Sequence, residues 1–414
     1  MKIDIITFII LVLTLNACNK DTSVPVPVAG PNSIMNETHP LPGVSKLLME
    51  GVYQVVSGSD FFGDKLVLKW NRCGISLACG NGKYFVLEAG HLDSVIFLQG
   101  YWRNGYTDGT GLASLYISRA DGGVSILTGN SSQKIIMRGA YGSQSGLPDQ
   151  SLVLEYIRPF SDKVKNSNFY ILAHRSGGRT SDRLPVSENS IEMINYTEKF
   201  GSTGIEVDVR ITSDGVAFLY HDPDINVRLT QKGALAGPIE NYTWAQLSTF
   251  VHLIHGEKIP TLEDALTFVV DSTLLRFVYL DIKAGTGAMA KVIPIQQRIL
   301  ERAAQKGRDL MVVTGIPSTD LLNDLLAYPD FQNIPSLCEL SVEDVRLANS
   351  RVWAPRWTLG TQNDLVMQIH SEGRLAVCWT IDQVSWIREF LNNGLFDGLL
   401  TNYPYVVAYY HYIQ

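Results

Sequence analysis

Charge is scarce in these 414 residues: Asp, Glu, Lys and Arg make up 18%, and the formal net charge is −7. A chain without basic excess repels a phosphate polymer rather than steering it in, so no nucleic-acid partner is expected. Cysteine is also scarce. Cys18, Cys73, Cys79, Cys338 and Cys378 form no CxxC pair, and no zinc site is expected without one. Cys73 and Cys79 lie too far apart to bond along one continuous strand, and within reach only if a turn intervenes. Against this, 45% of the residues are apolar. That is enough for a large core and excludes a disordered chain, and the length suggests two folded units.

The opening apolar run, Ile5 to Leu15, has about eleven residues where a bilayer-spanning helix needs about twenty. Lys2 precedes it and Leu15-Asn16-Ala17-Cys18 ends it. This pattern predicts a lipoprotein signal peptide over 1–18, with Cys18 lipidated. Residues 19–43, with Pro25, Pro27, Pro31, Pro40 and Pro42, are expected to form an extended, helix-free tether. The expected location is the bacterial cell envelope, in the outer membrane on its periplasmic or surface side, with the N-terminal lipid as the membrane contact. Asn19-Lys20-Asp21 resembles a surface-sorting signal.

Residues 44–162 carry short alternating runs broken by glycine, such as Lys65–Trp70, Tyr84–Leu87, Ser94–Leu98 and Ser151–Tyr156, with turn signals at Gly80-Asn81-Gly82 and Asp121-Gly122-Gly123. They predict an all-β sandwich or small barrel. Its aromatic residues Trp70, Tyr101, Trp102 and Tyr106 either pack the core and edges or line a ligand groove, and packing is the commoner use.

From 168 to 414 strands and helices alternate. Apolar runs at Tyr170–His174, Ile205–Ile211, Phe277–Lys283, Leu310–Thr314, Ile334–Leu340, Arg351–Trp357, Leu375–Ile381 and Gly398–Asn402 predict eight parallel strands, hence an α/β TIM barrel. Val216–His221 follows the second strand too closely for a parallel crossover and predicts a hairpin. Ser187 and Asp382 are the expected N-caps of two helices.

Active sites of such barrels lie at the C-terminal strand ends, and polar residues gather there. The first strand ends in His174-Arg175, the second carries Glu206-Val207-Asp208, its hairpin returns to His221-Asp222, the third ends in Asp281-Ile282-Lys283, and the seventh in Trp379-Thr380. Residues two apart on a strand share a face, so Glu206 with Asp208, and Asp281 with Lys283, point into one space. Three converging carboxylates repel one another unless a cation or proton joins them, and an all-oxygen set suits Ca²⁺ or Mg²⁺. Histidine, with its pKa near neutrality, suits acid/base work. His91, His252, His255 and His370 have no comparable context.

The order His-Arg, Glu188-Asn189, Glu-x-Asp, His-Asp, acid-x-Lys, Trp-Thr and Thr401-x-x-Pro404 resembles the glycerophosphodiester phosphodiesterases over about residues 169–410. The resemblance implies metal-dependent hydrolysis of a glycerophosphodiester to glycerol 3-phosphate and an alcohol. His174 and His221 would be the acid/base pair, Glu206, Asp208 and Asp281 the metal ligands, and Arg175 and Lys283 the phosphate-binding groups. Trp379 would lie against the substrate or the site wall. Three departures stand out. Ser176 precedes Gly177-Gly178 where the family has Gly directly, and the interval from His174 to Glu188 is long, placing Arg179 and Arg183 near the mouth. The third carboxylate is Asp281 where Glu is common, as in the sphingomyelinase-D-like lipases. The alternatives are therefore a phospholipase-D-like enzyme giving a cyclic phosphate, or a glycan- or lipid-binding lipoprotein on a degenerate barrel.

Overall fold

The computed structural model describes residues 26–31, 33–72, 74–130, 134–144 and 146–414. The expected signal peptide, Cys18, the start of the tether and Cys73 lie outside the described residues.

The alternating runs of the first half pair in sequence order as β1 (Gly51–Ser57), β2 (Lys65–Trp70), β3 (Ile75–Cys79), β4 (Lys83–Leu92), β5 (Val95–Asn104), β6 (Thr110–Ile117), β7 (Ile136–Tyr141) and β8 (Gln150–Arg158). Strand β8 returns to β1, closing an antiparallel barrel. Of the two expected forms the barrel is therefore the one adopted, and closure removes the sheet edges. Gly82 at the β3–β4 turn has φ of 82°, a left-handed value that glycine takes without strain. On β2, Leu66 and Leu68 point inward to join Leu77, Phe85, Leu98, Trp102 and Leu154. Val67 and Ala78 point outward yet are also buried, against Phe160, Val164 and Tyr412. Trp102 belongs to the core and donates to the Gly142 carbonyl at 2.8 Å. Trp70 packs on the same core, Tyr101 meets the Tyr196 hydroxyl, and Tyr106 lies edge-on to Tyr403. All four aromatics thus pack.

The second half forms β9 (Tyr170–Ala173), β10 (Gly204–Ile211), the hairpin strand β11 (Ala217–Leu219), the small ribbon β12 (Asp224–Ile225) and β13 (Gly237–Pro238), then β14 (Phe277–Ile282), β15 (Met311–Ile316), β16 (Ser336–Cys338), β17 (Val352–Trp353), β18 (Leu375–Cys378) and β19 (Gly398–Thr401). Eight of them run parallel in the order β10-β14-β15-β16-β17-β18-β19-β9, closed by β9 on β10. They coincide with the eight expected strands, and β11 is antiparallel to β10, as a hairpin requires. The interior is layered. Leu172, Phe277, Tyr279, Val313, Leu337, Val377 and Leu400 fill it, and on β14 the alternation Phe277, Tyr279, Asp281 carries an apolar floor up to a carboxylate.

Three local expectations are corrected. The helix Ile191–Thr197 is capped by Ser190, whose hydroxyl accepts from Met193 N, while Ser187 Oγ donates to Glu257. The helix Val384–Asn393 has no side-chain cap, because the Asp382 carboxylate is taken by Thr401 and Asn402. The described part of the tether is not helix-free. Ile34–Glu37 forms a 3-10 turn capped by Ser33, His39 pairs with His91, and a helix begins at Gly43. Strand β4 outruns its β3 partner beyond Leu87, and His39 occupies the edge left open there.

The two barrels meet where β2 and β3 pack against the C-terminal helix Pro404–Tyr412. Near this seam His411 stacks on Phe169 at 4.8 Å, and burial, with Lys163 acting the same way, lowers its pKa to about 4. The fold therefore favours neutral His411. Its contribution to stability is complete above the unfolded pKa of about 6.5 and is lost as pH falls toward about 4. Acidification from about pH 7.5 to about pH 5 should cost the wild type about 2 kcal/mol more than His411→Phe in urea denaturation. Equal losses would refute this assignment.

Candidate active site

The first barrel loop leaves β9 at Ala173 and turns at once. Arg175 and Ser176 have φ of 52° and 69°, and this left-handed turn lets the Arg175 backbone N–H donate to Glu206 Oε2 at 2.7 Å. Farther on, Asn189, with φ of 58°, grips Asp208 twice: its Nδ2 donates to Oδ2 at 2.7 Å and its Oδ1 accepts from the Asp208 backbone N–H at 3.2 Å. On β10, Glu206 and Asp208 project into the barrel mouth, and parallel register sets Asp281 of β14 beside Asp208. Ligand oxygens of Glu206, Asp208 and Asp281 lie within 4.8 Å of one another.

Such a cluster needs positive charge. Lys283 Nζ sits 2.6 Å from Asp281 and 3.3 Å from Asp208, and Arg175 Nε lies 3.9 Å from Asp208 Oδ2. Burial alone would lower the Lys283 pKa, but Asp281, Asp208 and Glu206 hold it above its usual value. Burial, then the charges of Asp208 and Asp281, raises Glu206 well above the carboxylate range. Burial acts on Asp208 too, yet Lys283, His221 and Arg175 more than offset it and keep that carboxyl low. Glu206 Oε1 is buried with no hydrogen-bond partner, and the buried Asp208 Oδ1 has only the Lys283 ammonium, at 3.3 Å. An orphaned carboxylate oxygen in an all-oxygen cluster fits a hard divalent cation.

Both histidines are oriented from behind. His174 Nδ1 lies 2.8 Å from Asn402 Oδ1, and Asn402 Nδ2 donates to Asp382 Oδ2 at 2.7 Å. Since the amide nitrogen must face the carboxylate, the amide oxygen faces the ring, so Nδ1 carries the proton and Nε2 offers its lone pair. That Nε2 lies 3.8 Å from Glu206 Oε2. Burial, then Arg175, lowers the His174 pKa to about 4, leaving it a neutral base. His221 Nδ1 is 2.7 Å from Asp222 Oδ1, and both Arg210 nitrogens Nε and Nη2 donate to the His221 carbonyl.

The sequence reading named Glu188 and Asp222 without giving them a role, and it did not name Arg228 or Glu339. Glu188 binds Arg175 Nη1 at 2.8 Å and Arg228 at 3.4 Å, and Arg228 clasps Asp222, so one chain of alternating charge links Arg175 to His221. Glu339, one residue past β16, accepts from the Tyr279 hydroxyl, and burial followed by Asp281 raises its pKa to about 7. Its signal was available: it is the polar residue at the end of an apolar strand, as at the other five sites. Trp379 stands at the end of β18, its Nε1 donating to Ala354 O at 2.7 Å and Arg356 covering its ring at 4.8 Å. Arg179 and Arg183 are at the first loop as expected, but each is already paired, with Asp182 and Asp108.

The sequence profile of the glycerophosphoryl diester phosphodiesterase family matches residues 174–406. "Probable glycerophosphodiester phosphodiesterase 2" of Mycobacterium tuberculosis is 29% identical over 259 residues, covering 59% of this chain and 91% of its own. The glycerophosphodiester phosphodiesterase of Caldanaerobacter subterraneus is 27% identical over 243 residues, covering 56% and 94%. A solved glycerophosphodiester phosphodiesterase from Parabacteroides distasonis is 21% identical, covers 57% of this chain and 94% of its own, and superposes with a TM-score of 0.46.

Removing a carboxylate tests the cluster directly. In chelator, Glu206→Gln should melt no lower than the wild type, because repulsion is relieved. Millimolar Ca²⁺ or Mg²⁺ should raise the wild-type Tm by several degrees and leave that variant unmoved. A variant stabilised as much as the wild type would exclude Glu206 as a ligand.

Proposed function

The chain belongs to the glycerophosphoryl diester phosphodiesterase family, and from that membership we propose that it hydrolyses glycerophosphodiesters to sn-glycerol 3-phosphate and an alcohol. We further propose that Glu206, Asp208 and Asp281 hold the required cation, Ca²⁺ or Mg²⁺. The observation that carries this reading is the convergence of two oriented histidines, three carboxylates (two of them fully buried) and two cations at the ends of β9, β10, β11 and β14.

Each residue has a part. His174 Nε2, neutral and aimed inward, accepts the proton of the attacking oxygen. His221, its Nδ1–H held by the Asp222 carboxylate, acts in its doubly protonated form and gives the Nε2 proton to the departing alkoxide as its bond to phosphorus breaks. Lys283 and Arg175 offer N–H groups to the phosphoryl oxygens, where negative charge grows in the transition state. A bound divalent cation adds charge neutralisation at those oxygens. Asn402, Asp382, Glu188 and Arg228 keep these groups aligned. Trp379 closes one side of the mouth, where the substrate enters as a small molecule. The attacker is water in this reading; attack by the glycerol hydroxyl would end in a cyclic phosphate.

Residues 1–18 support a further proposal, that the enzyme works in the bacterial envelope tethered to a membrane by lipid on Cys18. Its check is fractionation: Cys18→Ala should leave the membrane fraction, and retention there would contradict anchoring through that residue.

The activity test uses protein beginning near residue 22, with glycerophosphocholine and glycerophosphoethanolamine, Ca²⁺ or Mg²⁺, then chelator. Release of sn-glycerol 3-phosphate should be cation-dependent and fall by about 10²- to 10⁴-fold in His174→Ala. A cyclic phosphate would move the assignment to the phospholipase-D-like reaction. Folded protein inert on every diester, including lysolipid, would leave the binding-lipoprotein reading.

A further inference from the structure

The family profile begins at residue 174, so the N-terminal barrel lies outside it. Its placement against the first loop gives it a task. That loop is a strained element: of the nine non-glycine residues with positive φ among the described residues, Arg175, Ser176, Arg183 and Asn189 lie within it. Backbone in such conformations persists only where surrounding contacts over-determine it. The loop has little regular structure of its own, only the 3-10 turns His174–Ser176 and Thr180–Asp182.

Its inner edge is the catalytic layer. Thr180 N–H donates to Glu188, which holds Arg175, and Gly178 lies so close to the Asn402 carbonyl that a Cβ there would be 3.0 Å away. Its outer edge is gripped by the β5–β6 hairpin. Arg103, only 3% exposed, donates from Nη2 to the Arg183 carbonyl. Asp108 pairs with the Arg183 guanidinium. Tyr106 packs edge-on against Tyr403 at 5.0 Å, and the Tyr403 hydroxyl donates to Asp182 at 3.1 Å. Gly105 rests directly on Tyr405, leaving no room for a Cβ. Tyr403 also directly follows Asn402, the residue that orients His174.

We propose that the N-terminal barrel is a brace for catalysis: the hairpin carrying Arg103, Tyr106 and Asp108 holds the first loop in the conformation that places Arg175 and His174. These three are positioning residues, acting through the loop and touching no reacting atom. An exposed ion pair such as Asp108–Arg183 adds little to global stability, so its effect belongs in turnover. The proposal rests on the phosphodiesterase reading for its kinetic readout and is independent of it for its structural one.

The test compares wild type, Tyr106→Ala/Asp108→Ala, and the charge swap Asp108→Arg/Arg183→Asp. It uses the protein from about residue 22, with steady-state kinetics on glycerophosphocholine, thermal melting and amide hydrogen exchange. The double alanine variant should lose kcat about tenfold or more, as small misplacements of catalytic groups do. Its KM should stay within about twofold, its melting should be nearly unchanged, and exchange should quicken at amides of residues 176–187 but not in the parallel strands. The charge swap, with Tyr106 kept and the ion pair reversed, should hold kcat within about threefold of the wild type. Unchanged exchange in that loop would overturn the brace whether or not the enzyme turns over. So would unchanged kcat in the double alanine variant, or a charge swap as impaired as that variant. An inert wild type whose loop still loosens in the variant would count against the phosphodiesterase reading alone.

Discussion

Three carboxylates are crowded into a space from which water is largely excluded, and the architecture around them answers that repulsion. Glu206 and Asp208 are buried almost completely, with Asp281 beside them in register on the adjacent strand. No apolar packing can stabilise like charges at this separation. The molecule meets them with Lys283 and Arg175, with the backbone N–H of Arg175, and with the side chain of Asn189. Two of these groups sit on a left-handed turn, so local backbone strain is the cost of directing donors at the acids. The proposed cation would meet the same repulsion, and that requirement would join the fold to the chemistry.

The constraint propagates outward in layers. Behind the charged layer, Asn402 and Asp382 set one histidine, while Asp222, Arg228 and Arg210 set the other. Behind those lies the first loop, and behind the loop the N-terminal barrel. Its β3 is buried on both faces, inward by its own core and outward by the C-terminal helix. The seam is therefore an apolar junction, and the polar hairpin contacts at the rim act from a fixed base.

Much of this was legible in the sequence because it is periodic. Runs such as Phe277–Ile282 stop at charged residues, and period-two spacing places Glu206 with Asp208 and Asp281 with Lys283 on shared faces. What escaped was set by contacts distant along the chain. Asp382 stands where an N-cap belongs, but Asn402, arriving on a later strand, takes its carboxylate. Ser187 looks like a cap and is claimed by Glu257. Barrel and sandwich share one alternating pattern, and only the pairing of β8 with β1 distinguishes them. Proline-rich composition reads as tether, while His39 finds the open edge of β4. Arg183, expected near the mouth, is held there by Asp108 of the N-terminal barrel.

The central claim is that the three acids are a cation site by construction. Crystals grown with Mn²⁺, a scattering stand-in for Ca²⁺ or Mg²⁺, would test it through an anomalous difference map. The account predicts one strong peak bounded by Glu206, Asp208 and Asp281, with Glu206 Oε1 and Asp208 Oδ1 among its ligands. A map with no peak there at saturating Mn²⁺ would contradict it.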